Sequence, residues 1–147
     1  MAKKRITKAT YLKWYEDMLF WRKFEDMSAA LYIQQKIRGF LHLYNGQEAV
    51  LAGSAYAMED GDKMITAYRN HVQPIALGED PRRIMAELMG KVTGTSRGKG
   101  GSMHMFSPEL GFWGGHGIVG GQIPLGAGLA FADKYKEKKN RYLNIIT

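Results

Sequence analysis

No cysteine occurs among the 147 residues, which excludes a disulfide framework and any thiolate zinc site. A thiol-free chain agrees with a reducing compartment. No stretch approaches the roughly 18 apolar residues that a membrane-spanning helix needs. The basic opening Met1-Ala-Lys-Lys-Arg-Ile-Thr-Lys lacks the apolar run of a secretory signal and is short for an organellar transit peptide. These absences point to a cytoplasmic protein of bacterial type, away from the membrane.

Acidic residues are few, 14 against 21 lysines and arginines, for a net charge of +7. Such an excess can signal nucleic acid, but its distribution argues against that. The cations sit in runs near the two ends, around Lys3 to Lys8 and Lys134 to Arg141. Runs of this kind are solvated faces, and no nucleic-acid motif accompanies them. Acidic protein partners, or an acidic remainder of a longer chain, account for the imbalance equally well. Between Gly100 and Ala132 the only formal charge is Glu109, so this stretch has no carboxylate cage for a divalent cation. The Gly-X4-Gly-Lys-Ser/Thr pattern of nucleoside-triphosphatases is missing as well.

What the chain does have is glycine, concentrated in one place. Ten of its 18 glycines fall between Gly94 and Gly121. That density argues against helix or strand, because each glycine gives up extra backbone entropy on ordering. A long loop inside a compact domain is usually functional or disordered. This one carries Met103, His104, Met105, Phe106, Phe112, Trp113 and His116, side chains that seek burial or a ligand. Its bare backbone is suited to close approach by a bound molecule.

Around this loop the pattern alternates helices with short apolar strands, which indicates an α/β layer architecture. Apolar residues at three- and four-residue steps, including Leu12, Tyr15, Met18, Leu19, Phe24, Met27 and Leu31, predict a helix from Thr10 to Ile33. Residues 38–44 read as extended, Asn45-Gly46 as a turn, and residues 47–58 as a second helix. A strand is expected over residues 63–68 and a helix over 70–77. Asp80 and Pro81 then supply a cap and a first-turn proline for a helix ending near Met89. Residues 123–135 read as helix and 142–147 as a buried strand. In open α/β sheets the ligand site lies beyond the carboxyl ends of strands. The sequence stops where such a site would begin, and so reads as truncated.

Two further clusters could carry chemistry. Tyr68-Arg69-Asn70-His71 stands at a strand-to-helix passage, where a guanidinium and a phenol could grip a phosphate or carboxylate. A surface arginine beside a half-buried tyrosine is the plainer alternative. His42, set between apolar residues, is either a satisfied core histidine or a general acid/base near a ligand.

Taken in order, Arg38-Gly-Phe-Leu-His-Leu, Gly46-Gln-Glu-Ala, Ile65-Thr-Ala-Tyr-Arg, Gly98-Lys-Gly-Gly-Ser-Met-His-Met-Phe and Gly115-His-Gly-Ile-Val-Gly-Gly-Gln-Ile-Pro-Leu-Gly-Ala-Gly strongly resemble one family. It is the α subunits of the decarboxylating component of pyruvate dehydrogenase complexes, from about Tyr11 onward. Acetoin and branched-chain 2-oxoacid dehydrogenases are similar, and a non-catalytic module docking a β subunit is a further alternative.

The resemblance implies the N-terminal half of a thiamine-diphosphate-binding, doubly wound parallel-sheet domain. Residues 1–36 would form a helical extension and residues 37–147 the incomplete cofactor domain. It also implies an α2β2 heterotetramer that decarboxylates pyruvate and passes the acetyl group to a lipoyl acyltransferase core. By motif, His42 would lie near the reacting thiazolium and substrate, and Tyr68 and Arg69 would contact the diphosphate. Ser107 would border that site. Gly117 and Val119 would hold the aminopyrimidine in a bend that lets the cofactor act as its own base and as electron sink. The Mg2+ ligands would lie beyond residue 147, so the isolated chain is expected to bind cofactor weakly and to be inactive.

Overall fold

A computed structural model describes residues 6–140 and 142–145. The first helix, α1 (Lys8–Ile33), opens two residues before the expected Thr10 because Thr7 caps it. The Thr7 hydroxyl accepts the Thr10 N–H, and the Thr10 hydroxyl accepts the Thr7 N–H, a reciprocal cap that satisfies two otherwise orphan donors. The buried face is only in part the apolar stripe expected from the sequence: Met18, Phe24 and Leu31 pack against the core. Leu12, Tyr15, Leu19 and Met27 are exposed, whereas Trp21, Glu25 and Ser28 are buried. With Trp14 and Met18 these form a seam at alternating four- and three-residue steps. The seam includes a carboxylate, so hydrophobicity alone could not have located it.

α2 (Glu48–Ala57) packs on α1. The Arg22 guanidinium grips Glu48 through two donors, at 2.6 and 2.9 Å. β1 (Lys63–Ala67) follows, then the short α3 (Val72–Ala76) and α4 (Pro81–Leu88). As expected from Asp80-Pro81, the Asp80 carboxylate accepts the Arg82 N–H at 2.8 Å. A 3-10 turn at Pro108–Leu110 leads into β2 (Phe112–His116), and α5 (Gln122–Tyr135) leads into β3 (Tyr142–Ile145). The expected last strand is thus present as far as Ile145, but at the edge of the described sheet with Tyr142 and Leu143 half-buried rather than buried, and Ile146 and Thr147 lie outside the described residues. The basic opening read from Met1 to Arg5 lies outside them too.

β2 corrects the reading of an unbroken loop. A strand forms there because its glycines are needed for packing rather than for freedom. A Cβ on Gly114, whose φ is +103°, would stand 2.1 Å from the Phe106 ring, and one on Gly115 would stand 2.2 Å from the Asn70 amide.

The three strands are parallel in the order β2-β1-β3. Central β1 has Met64, Ile65, Thr66 and Ala67 all buried, as a strand covered on both faces must. The chain goes from β1 to β2 through α3 and α4, then back across β1 to β3 through α5. Right-handed crossovers send these two connections over opposite faces, so the segments that leave the adjacent carboxyl ends of β1 and β2 depart in opposite directions. Lys63 fastens the far end, donating to Asp133 of α5 at 2.8 Å and to the Tyr142 hydroxyl at 3.1 Å. Trp21, Ile37, Tyr44, Leu51, Met64, Val72, Ile84, Leu88, Met105 and Phe112 share one core, which makes the expected α/β class a single packed layer system.

Candidate functional site

The register Ala67 to His116 sets Tyr68, at the end of β1, beside Gly117, at the end of β2. His42 comes to the same edge from the segment between α1 and α2. Its ring meets Tyr68 edge-on, with centroids 4.8 Å apart. The Arg69 guanidinium carbon lies 5.3 Å from the centre of the Tyr68 ring, and Arg69 Nη1 donates to the Leu43 carbonyl at 2.6 Å. Among the described residues that is the guanidinium's one hydrogen bond, so most of its donor fork is unspent.

Beyond β2, Gly117, Ile118 and Val119 are exposed. A Cβ on Gly117 would meet His104 at 3.4 Å, an ordinary contact. The fold itself therefore does not demand glycine there. Four of the six expected site residues, His42, Tyr68, Arg69 and Gly117, thus converge from three separate chain segments on the carboxyl edge of two adjacent strands, and Val119 lies in the exposed turn that follows β2.

Ser107 is not among them. It pairs with Phe112 at the start of β2, about 13 Å of strand away from His116. Its side chain is buried and donates to Glu79 Oε2 at 2.6 Å. Motif position could not show this, since residues 107–112 double back before the strand begins.

Electrostatics at the edge favours a neutral imidazole. Burial holds the His42 ring below the ordinary histidine range, helped by the Arg69 cation and by His71. Burial lowers His116 as well, against a hydrogen bond with the Trp113 backbone, with His104 adding to the lowering. A neutral ring can both accept and donate a proton near pH 7. The edge therefore offers a fork for an anion, a neutral acid/base and bare backbone flanked by apolar side chains.

Two buried side chains shape this edge, Asn70, whose cluster the sequence singled out without giving it a role, and Glu87, which sequence reasoning passed over. Asn70 donates to the Ser102 carbonyl at 3.0 Å and accepts the Met105 N–H at 3.3 Å, joining the end of β1 to the glycine-rich segment. Glu87 of α4 is fully buried, and its two oxygens accept N–H groups from Ser96, Gly98, Gly100 and Gly101 at 2.8 to 3.1 Å. A single carboxylate thus replaces the side chains that the glycines lack. A lone glutamate in an amphipathic helix gives no signal of that role. No group of three or more His, Asp or Glu side chains able to hold a metal occurs among the described residues.

Residues 16–146 match the family described as dehydrogenase E1 component. Over 140 residues the chain is 49% identical to the pyruvate dehydrogenase E1 component subunit alpha of Rickettsia conorii, covering 95% of this chain and 43% of that protein. The protein of that name from Rhizobium meliloti is 52% identical over 92% of this chain and 39% of its own length. The one from Zymomonas mobilis is 56% identical over 85% and 36%. The chain spans about two fifths of the length of these curated relatives. Its strands, its glycine-rich segment and its carboxyl-edge residues all fall inside the matched stretch, and the chain belongs to the dehydrogenase E1 component family.

Proposed function

We propose that this chain forms the N-terminal part of a pyruvate dehydrogenase α subunit and contributes one wall of a thiamine diphosphate site. The observation that carries the reading is the convergence of His42, Tyr68, Arg69 and Gly117 on one carboxyl edge. Three features fit the cofactor. The Arg69 donors suit its diphosphate, the open backbone at Gly117 suits a polar ring, and exposed Ile118 and Val119 suit that ring's faces. We place the Mg2+ ligands beyond residue 147, in the part of the relatives that this chain does not match.

In this reading Tyr68 and Arg69 bind the diphosphate oxygens through charge-assisted hydrogen bonds. Gly117 presents main-chain groups to the aminopyrimidine, and Val119 excludes water from it. His42 holds or moves a proton at a ring nitrogen beside the substrate carbonyl. Bound thiamine diphosphate would supply the electron sink for loss of carbon dioxide from pyruvate.

The proposed division takes residues 1–36 as an N-terminal extension, whose Trp21 is built into the shared core, and residues 37–147 as the cofactor domain. The exposed Ile123, Leu125, Phe131 and Tyr135 of α5 support docking of a β subunit, and a lipoyl acyltransferase would receive the acetyl group. Acetoin or a branched-chain 2-oxoacid is the alternative substrate. No helix among the described residues is long and apolar enough to cross a membrane, and we place the enzyme in the cytoplasm.

Gly117→Ala tests the reading in a full-length α subunit that carries this sequence, assembled with its β partner. Because the fold has room for the added methyl, the melting temperature is expected to stay within about 2 °C. Thiamine diphosphate affinity, measured by titration calorimetry with Mg2+, is expected to fall roughly tenfold or more, the cost of about 1.4 kcal/mol. Unchanged affinity in both Gly117→Ala and Arg69→Ala would sink the proposal.

A further inference from the structure

His71 takes no part in the chemistry described so far, yet it is fully buried and both its ring nitrogens are engaged. Nδ1 lies 2.7 Å from Glu25 Oε2 of α1, and Nε2 lies 2.7 Å from Ser102 Oγ in the glycine-rich segment. Ser102 Oγ accepts the His42 N–H at 2.9 Å, and Glu25 Oε1 accepts the Tyr44 N–H at 3.2 Å. One arrangement of protons satisfies every member. The Ser102 hydroxyl donates to His71 Nε2, and His71 Nδ1–H donates to the Glu25 carboxylate.

The carbonyl of Leu43, between those two amides, accepts from Arg69 at 2.6 Å. Three successive residues are therefore each fixed at one backbone group by a different segment of the chain. Ser102 is no nucleophile in this arrangement, because it is 6% exposed and its oxygen already accepts from His42. Nor is the network an obvious aid to stability, since buried polar groups can often be replaced by apolar ones without loss. What apolar packing cannot supply is a directional hold on the main chain.

We propose that Glu25, His71 and Ser102 form a buried positioning relay that sets the His42 imidazole against Tyr68. None of the three touches a ligand. The proposal rests on the reading of His42 as the group facing the reacting centre.

The test uses Ser102→Ala, Ser102→Thr, Glu25→Gln and His42→Gln in a full-length α subunit that carries this sequence, assembled with its β partner. Hydrogen exchange by mass spectrometry reads the His42 and Tyr44 amides independently of activity. Ser102→Ala is expected to speed exchange at His42 roughly tenfold, the size of one lost hydrogen bond, while α4 stays unchanged. It is expected to lower kcat roughly tenfold with KM held within about twofold, and Ser102→Thr restores both.

In the His42→Gln background Ser102→Ala should cost nothing further in kcat, since the group it positions is gone. The relay is overturned if exchange at His42 and Tyr44 is unaltered in both Ser102→Ala and Glu25→Gln. It is overturned equally if the Ser102→Ala penalty is the same size with and without His42. A fully active His42→Gln enzyme overturns the role given to His42 instead, and exchange at the two amides then decides the relay alone.

Discussion

Glu87 accepts four backbone N–H groups, and only a carboxylate can do so with both oxygens. Glu87→Gln would turn an amide NH2 toward two of those donors, leaving buried N–H groups without acceptors. A loss of about 2–4 kcal/mol is expected from urea unfolding, together with faster exchange at Gly98 to Gly101. Gly114→Ala is the companion case. Its φ of +103° and its closeness to Phe106 mean that both backbone and ring must yield, and about 2 kcal/mol or more should be lost. Gly117→Ala, only a few residues further on, should cost almost nothing in stability. Composition shows three glycines in one short segment, and only the fold separates the two that packing requires from the one that it does not.

Helix α1 poses the question of which face is structural. Trp21 is 4% exposed and Leu19 42% exposed, although both are apolar and only two positions apart. Trp21→Ala is expected to cost about 3–5 kcal/mol, and Leu19→Ala to stay within about 0.5 kcal/mol, both read from unfolding midpoints. Elements with local stop and start chemistry were legible in the sequence. The Asp80-Pro81 opening of α4, the Asn45-Gly46 turn and the apolar run of β1 needed no tertiary information. Three things were not legible. β2 is built on glycines whose neighbours, Phe106 and Asn70, come from elsewhere. The buried seam of α1 contains Glu25, whose partners His71 and Tyr44 lie far along the chain. Ser107 sits in the right motif, but at the end of the strand away from the other candidates.

For the molecule as a whole, acid should be the destabilising direction in the neutral range. His42 and His116 are both held below the ordinary imidazole value, mainly by burial. The unfolded chain takes up these protons near pH 6.5, whereas the folded chain does not until the pH is lower. Stability is therefore expected to fall as pH drops below about 6.5, shown by a declining urea midpoint between about pH 7.5 and 5.5. A His42→Gln, His116→Gln double variant should flatten that decline. An unchanged slope would mean that other groups control the acid limb. The net charge of +7 adds self-repulsion as further protons bind, and added salt should relieve that part alone.

The pairing of β1 with β2 slips between Met64 and Thr66, where two steps along β1 answer three along β2, from Phe112 to Gly115. A surplus residue of this kind reverses the up-and-down order of everything after it. His116, the last residue of β2, thus owes the side on which it emerges to one inserted peptide unit. Shortening β2 by that single residue is expected to turn His116 over, facing the wrong way.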